Sequence, residues 1–148
     1  MDVKSRIDSL TPEFVGWRRH LHAHPELAFE EKETAAFIAG KLREFGLEVK
    51  EGVGGTGVVG VLRRGNGPMV GLRADIDALP ILEDTGLAYA SQTKGKMHAC
   101  GHDGHTAMLL GAARVLSEMP PQNGSIAFIF QPAEENEANN NLINCSVN

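Results

Sequence analysis

Apolar residues recur along this chain in two periods, and their order sets out the elements. Phe14, Trp17 and Leu21 repeat at helical spacing behind Thr11-Pro12-Glu13, while Arg18, Arg19 and His22 fall on other faces. Thr11 can cap free backbone donors and Pro12 suits the first helical position, so a helix is predicted to start there and to end at Pro25. Thr34, Phe37, Ile38, Leu42 and Phe45 form a second stripe, predicting a helix from about Phe29 to Phe45 with Gly46 as its stop. Glu30, Glu31 and Glu33 crowd its first turns and read as a solvated face that favours the helix dipole.

The period then shortens. Leu47 to Lys50 alternates as a strand does, the glycine run Gly52-Val53-Gly54-Gly55-Thr56-Gly57 interrupts, and Val58 to Leu62 resumes the extended pattern. The glycines are not a phosphate loop, because no Gly-Lys-Ser/Thr ending and no helix pattern follow them. Arg64-Gly65-Asn66-Gly67-Pro68 signals a turn before Met69 to Leu72, so the two strands are predicted to form a hairpin. Met108, Leu109, Ala112, Val115 and Leu116 predict a third helix over Thr106 to Glu118. The nearly unbroken apolar run Ser125 to Phe130 predicts a strand buried on both faces.

Composition narrows the class. At 148 residues the chain can bury one good core, and its 42% hydrophobic and 22% charged content is that of an ordinary globular domain. A net charge of -5 and scattered basic residues give a nucleic-acid role no support. Cys100 and Cys145 are too few for a disulfide framework, MDVKSRIDSL lacks the apolar run of a signal peptide, and no stretch has the length of a membrane span. A cytoplasmic protein is expected.

Candidate chemistry concentrates in Met97-His98-Ala99-Cys100-Gly101-His102-Asp103-Gly104-His105. Cysteine alone is often a buried small hydrophobe, and a lone histidine is more often a core or surface residue than a ligand. Clustered on a glycine-bent backbone, Cys100 and His102 can both reach one cation, and thiolate with imidazole suits zinc, cobalt, nickel or manganese better than calcium. Asp75 and Asp77 stand where a strand ends and can either point into a crevice beyond the sheet or close a turn. Glu134 and Glu135 follow the apolar strand. They can be two solvated glutamates, or a ligand and a proton acceptor beside a metal that offsets their repulsion. His20, His22 and His24 lie two apart on a predicted helix and cannot share one face, so they are not read as ligands.

The succession RRHLHAHPELAFEE, GLRADIDALP, MHACGHDGHTAMLLGAA and FIFQPAEE resembles the N-terminal part of metal-dependent amidohydrolases of the aminoacylase and carboxypeptidase group. Within it, the branch of hippurate hydrolases, N-acyl-amino-acid amidohydrolases and auxin-conjugate hydrolases matches best. The motifs fall in family order from about Arg18 to Glu135. The resemblance implies an α/β catalytic domain of the zinc-exopeptidase type, with helices on a mixed central sheet. It implies Cys100, His102 and Glu135 as metal ligands, Glu134 as general base, and Asp77 as an orienting aspartate, with no catalytic role given to Asp103 or His105. One or two divalent ions would polarise the amide carbonyl of a small N-acyl amino acid substrate and acidify bound water.

Family members are far longer and supply further histidine ligands and a lid or dimerisation domain beyond this region. The stretch Asn136 to Asn148 departs from their pattern, and as an asparagine-rich, aperiodic tail it is expected to be disordered. Residues 1–135 are therefore expected to be a partial catalytic domain, as in a truncated or frame-changed chain, with association into homo-oligomers one consequence of an uncovered sheet edge. The alternative is a metal-binding fragment without catalysis. Thiol redox chemistry at Cys100 is weaker, because no resolving cysteine lies nearby in sequence.

Overall fold

The computed structural model describes residues 2–119 and 123–136. In chain order the elements are α1 (Val3–Ala23), α2 (Lys32–Glu44), β1 (Glu48–Val53), β2 (Gly57–Arg64), β3 (Met69–Asp75), α3 (His102–Glu118) and β4 (Gly124–Gln131). The asparagine-rich tail from residue 137 onward lies outside the described residues.

The sheet order is β1-β2-β4-β3, which corrects the predicted hairpin of β2 with β3. β4 lies between them, antiparallel to β2 and parallel to β3. The reason is burial: β4 is the strand with apolar residues on both faces, and the centre of the sheet is where both faces are covered. The Gly65–Pro68 turn wraps the start of β4 so closely that a Cβ at Gly67 would stand 2.5 Å from the Asn123 carbonyl. Only glycine fits there.

Register explains the core. Val58 pairs with Phe130, Gly60 with Phe128 and Leu62 with Ile126, while Leu72 and Ala74 of β3 pair with Phe128 and Phe130. Alternate residues share a face, so Val58, Leu62, Ala74, Phe128 and Phe130 meet Ile38, Leu42, Leu110 and Ala113 from the helices in one apolar cluster. A Cβ at Gly60 would stand 2.9 Å from Leu42, so the missing side chain lets α2 lie close on β2. α1 packs on α3 in turn, its Phe14 ring resting over Gly111.

α1 begins nine residues before the predicted start, at Val3 rather than Pro12. Asp2 accepts the Ser5 N–H as the actual cap, and Thr11 and Pro12 lie inside the helix, where the Thr11 hydroxyl donates to the Ile7 carbonyl. Pro12 is exposed, so its missing donor leaves a carbonyl that water can satisfy. α2 ends at the predicted glycine, Gly46, whose φ of 80° is the left-handed conformation expected there.

The parallel pairing of β3 and β4 carries the consequence for function. Asp75 is in register with Gln131, so both strands end at one edge, and the N-terminus of α3 opens at the same edge. Ligands in open α/β sheets bind beyond the carboxyl ends of strands, and this edge holds the chemistry.

Candidate metal centre

Four segments far apart in sequence deliver side chains to this edge. β3 ends in Asp75 and leads to Asp77, the loop before α3 supplies Cys100, α3 opens with His102, and the turn after β4 brings Glu134 and Glu135. The Cys100 sulfur, a His102 ring nitrogen and a Glu135 carboxylate oxygen all lie within 4.8 Å of one another. A second donor group there joins Asp75, His102 and His105.

His102 sets the polarity of the site. Its ring is buried, and Nδ1 donates to the Asp77 carbonyl at 2.9 Å and stands 3.2 Å from Asp77 Oδ1. Both partners are acceptors, so the proton sits on Nδ1 and the Nε2 lone pair points out of the ring's far side. Nε2 faces Glu134 Oε2 at 3.8 Å, Glu135 Oε1 at 3.8 Å and Asp75 Oδ2 at 4.0 Å. Three carboxylate oxygens just beyond hydrogen-bond reach of Nε2 favour positive charge between them, either a proton on the ring or a cation in its place.

The titratable groups record the same balance. Burial alone would lower the His102 imidazolium, but the hydrogen bond and charge of Asp77 override it and hold it above its usual range. Burial likewise pushes Asp77 up, while the bonds from His102 and from the Glu135 N–H, at 2.9 Å to Oδ2, bring it below its usual range. The Glu135 carboxylate pushes the exposed Cys100 thiol up. Glu135 Oε1 is buried and meets no donor at hydrogen-bond geometry among the described residues. Sulfur, imidazole and carboxylate donors, with a buried oxygen short of a partner, fit a divalent transition ion or zinc.

Asp77 thus bridges two residues of this donor cluster: one oxygen holds the His102 ring and the other holds the Glu135 backbone. Glu134 is more open, its side chain 38% exposed, and reaches the same space from the solvent side.

Other residues around the site were not legible in the pattern. His22 is buried, with Nδ1 at 2.8 Å from Asp103 Oδ2 and Nε2 at 3.1 Å from Glu83 Oε1, tying α1 to the start of α3 and to the 80–97 loop. His20 and His24 pack against each other on another face of α1, with centroids 4.6 Å apart. His98 is buried with both ring nitrogens lacking a hydrogen-bond partner among the described residues, and burial pushes it down to about 4. Glu31 corrects the reading of its cluster as a solvated face. It is fully buried, because the turn after β4 and Thr56 close over it.

Fold and site together describe an α/β domain with a cluster of candidate metal ligands at the carboxyl edge of its sheet. The model of peptidase family M20/M25/M40 matches residues 71–144. The chain belongs to that family. It is 52% identical over 136 residues to a hippurate hydrolase of Campylobacter jejuni, covering 91% of this chain and 35% of that one. It is 46% identical over 136 residues to an N-acyl-L-amino acid amidohydrolase of Geobacillus stearothermophilus, covering 90% and 37%. Among solved structures, a Bacillus subtilis protein described as a dinuclear metal-binding peptidase of the M20 family superposes with a TM-score of 0.82 at 45% identity, covering 86% of this chain and 36% of that one. The chain spans about a third of the length of the relatives it matches. Among the described residues, no helix is long and apolar enough to cross a membrane.

Proposed function

We propose that this chain carries the N-terminal catalytic part of a metal-dependent amidohydrolase acting on N-acyl amino acids. Cys100, His102 and Glu135 hold a divalent cation, zinc, manganese, nickel or cobalt, and Glu134 is the general base. The observation that carries the reading is the convergence of sulfur, imidazole and carboxylate donors within 4.8 Å at one sheet edge. The relatives named as amidohydrolases and the dinuclear metal-binding neighbour support it.

When bound, the cation supplies Lewis acidity that polarises the amide carbonyl and makes water easier to deprotonate. Every proton movement falls to the chain's own residues. Glu134, its side chain 38% exposed and facing His102, takes the proton of the attacking water. It returns that proton to the leaving nitrogen as the C–N bond breaks, giving a carboxylic acid and a free amino acid. Asp77 keeps the His102 lone pair aimed outward by holding the proton on Nδ1.

Hydrolysis of a panel of N-acyl amino acids, N-benzoylglycine included, tests the reading on the purified chain with manganese, zinc or nickel added. Turnover lost on chelation supports it, and metal analysis then gives one or two ions per chain. A folded chain that binds metal and hydrolyses none of the panel fits the second reading, a metal-binding fragment without turnover. What favours that alternative is the share of the relatives' length that the chain spans.

A further inference from the structure

The mechanism leaves open what holds the turn that presents Glu134 and Glu135. That turn is not a relaxed one. Ala133 has φ of 54°, the left-handed region, which a residue with a Cβ enters only at a cost. Asp77 accepts the Glu135 N–H on one side. On the other side Glu31 Oε1 accepts the Ala133 N–H at 2.8 Å, and the Thr56 hydroxyl donates to Glu31 Oε2.

Glu31 occupies the cap position of α2, where an acidic side chain ordinarily accepts from its own helix. It makes no such bond. Glu26 does that work instead, accepting the backbone N–H groups of Glu33 at 3.1 Å and Thr34 at 2.6 Å. The Glu31 carboxylate is thereby released to reach, fully buried, the Ala133 N–H 102 residues along the chain, with the Thr56 hydroxyl and its own backbone N–H as its other donors. Burying a carboxylate is expensive and its helix does not need it, so what the burial achieves is the tie between the Ala133 turn and Thr56.

We infer that Glu31 is a positioning residue: with Asp77 it clamps the strained Ala133 turn from two sides, so that Glu135 and Glu134 are held ready at the metal-binding edge. This rests on the metal-site reading of Glu135. Two measurements on the full 148-residue chain separate the two ideas.

The first measurement is amide hydrogen exchange in the metal-free chain. E31A should speed exchange at Glu135, whose amide bonds to Asp77 and not to Glu31, while the central β4 amides keep their protection. E31Q should restore slow exchange, since its amide oxygen can accept the Ala133 N–H while the Thr56 hydroxyl rotates to accept from the amide nitrogen. The second is cobalt binding, read from visible absorption. E31A should weaken it by about 10- to 100-fold and E31Q should stay near the unsubstituted chain. In the A133G background, where the left-handed turn needs no clamp, E31A should cost much less.

Unchanged Glu135 exchange in E31A, or loss of cobalt affinity that E31Q does not rescue, overturns the clamp. If the unsubstituted chain binds no cobalt, the metal reading fails while exchange still judges the clamp. Should E31A not fold, T56V removes the partner of the second Glu31 oxygen alone. A several-fold loss of cobalt affinity with faster Glu135 exchange is expected there, and no change in either refutes the inference.

Discussion

Asp77→Asn tests whether one carboxylate organises the site. The two side chains have nearly the same shape, so no cavity opens. Asp77 presents two acceptors, Oδ1 to the His102 ring and Oδ2 to the Glu135 N–H, and asparagine has only one. Whichever way the amide is turned, its NH2 meets another N–H. The loss is one bond to a charged acceptor, about 1.5–3 kcal/mol, plus the cost of a buried donor left facing a donor, about 1–2 kcal/mol. Removing a negative charge returns a smaller part of this, because the Glu31 carboxyl, which burial pushes up, is also repelled by Asp77. The net expectation is a metal-free chain destabilised by about 1.5–4 kcal/mol, read as a lower denaturant midpoint at unchanged slope near neutral pH. A variant as stable as the original, or more so, would show that repulsion dominates and that Asp77 does not hold the site together.

Because Glu134 and Glu135 hold different roles, Glu134→Gln should abolish hydrolysis while metal content stays close to normal, whereas Glu135→Gln should lower both; equal metal loss in the two, measured by atomic absorption, refutes that division. Glu83 supplies the pH prediction. Burial pushes its carboxyl up, but bonds from the Thr85 hydroxyl, the Ser91 N–H and His22 bring it down to about 2. Its contribution is then complete above the ordinary value of 4.5 and is lost as pH falls toward about 2. Denaturant melts of Glu83→Gln should therefore show a deficit near pH 6 that closes on acidification, and a deficit independent of pH between 6 and 3 contradicts the assignment.

Local pattern reached part of this molecule and stopped where partners are distant. α3, the buried β4 and the Asp75–Asp77 strand end were legible because each is written in one short run of residues. Hairpin pairing of β2 with β3 was not, since the strand that separates them arrives only after α3, and a turn signal says nothing of a later insertion. The helix stripe placed Glu31 among solvated glutamates. Its burial comes from Thr56 and the Ala133 turn, neither of which a helical period can foresee. His22 was set aside because histidines two apart cannot share a face. That geometry holds, but Asp103 and Glu83 reach it from a different helix and a loop. The residues proposed as ligands came from motif resemblance and clustering, and the structure brings Cys100, His102 and Glu135 to one point without testing what they hold.

X-ray absorption on the zinc-loaded chain addresses that question most directly. The account predicts one sulfur scatterer at about 2.3 Å with nitrogen and oxygen donors at about 2.0–2.2 Å. The sulfur signal should vanish in Cys100→Ser while the lighter donors remain. A spectrum from the unsubstituted chain with no sulfur in the zinc shell, or one that Cys100→Ser leaves unchanged, would contradict the site.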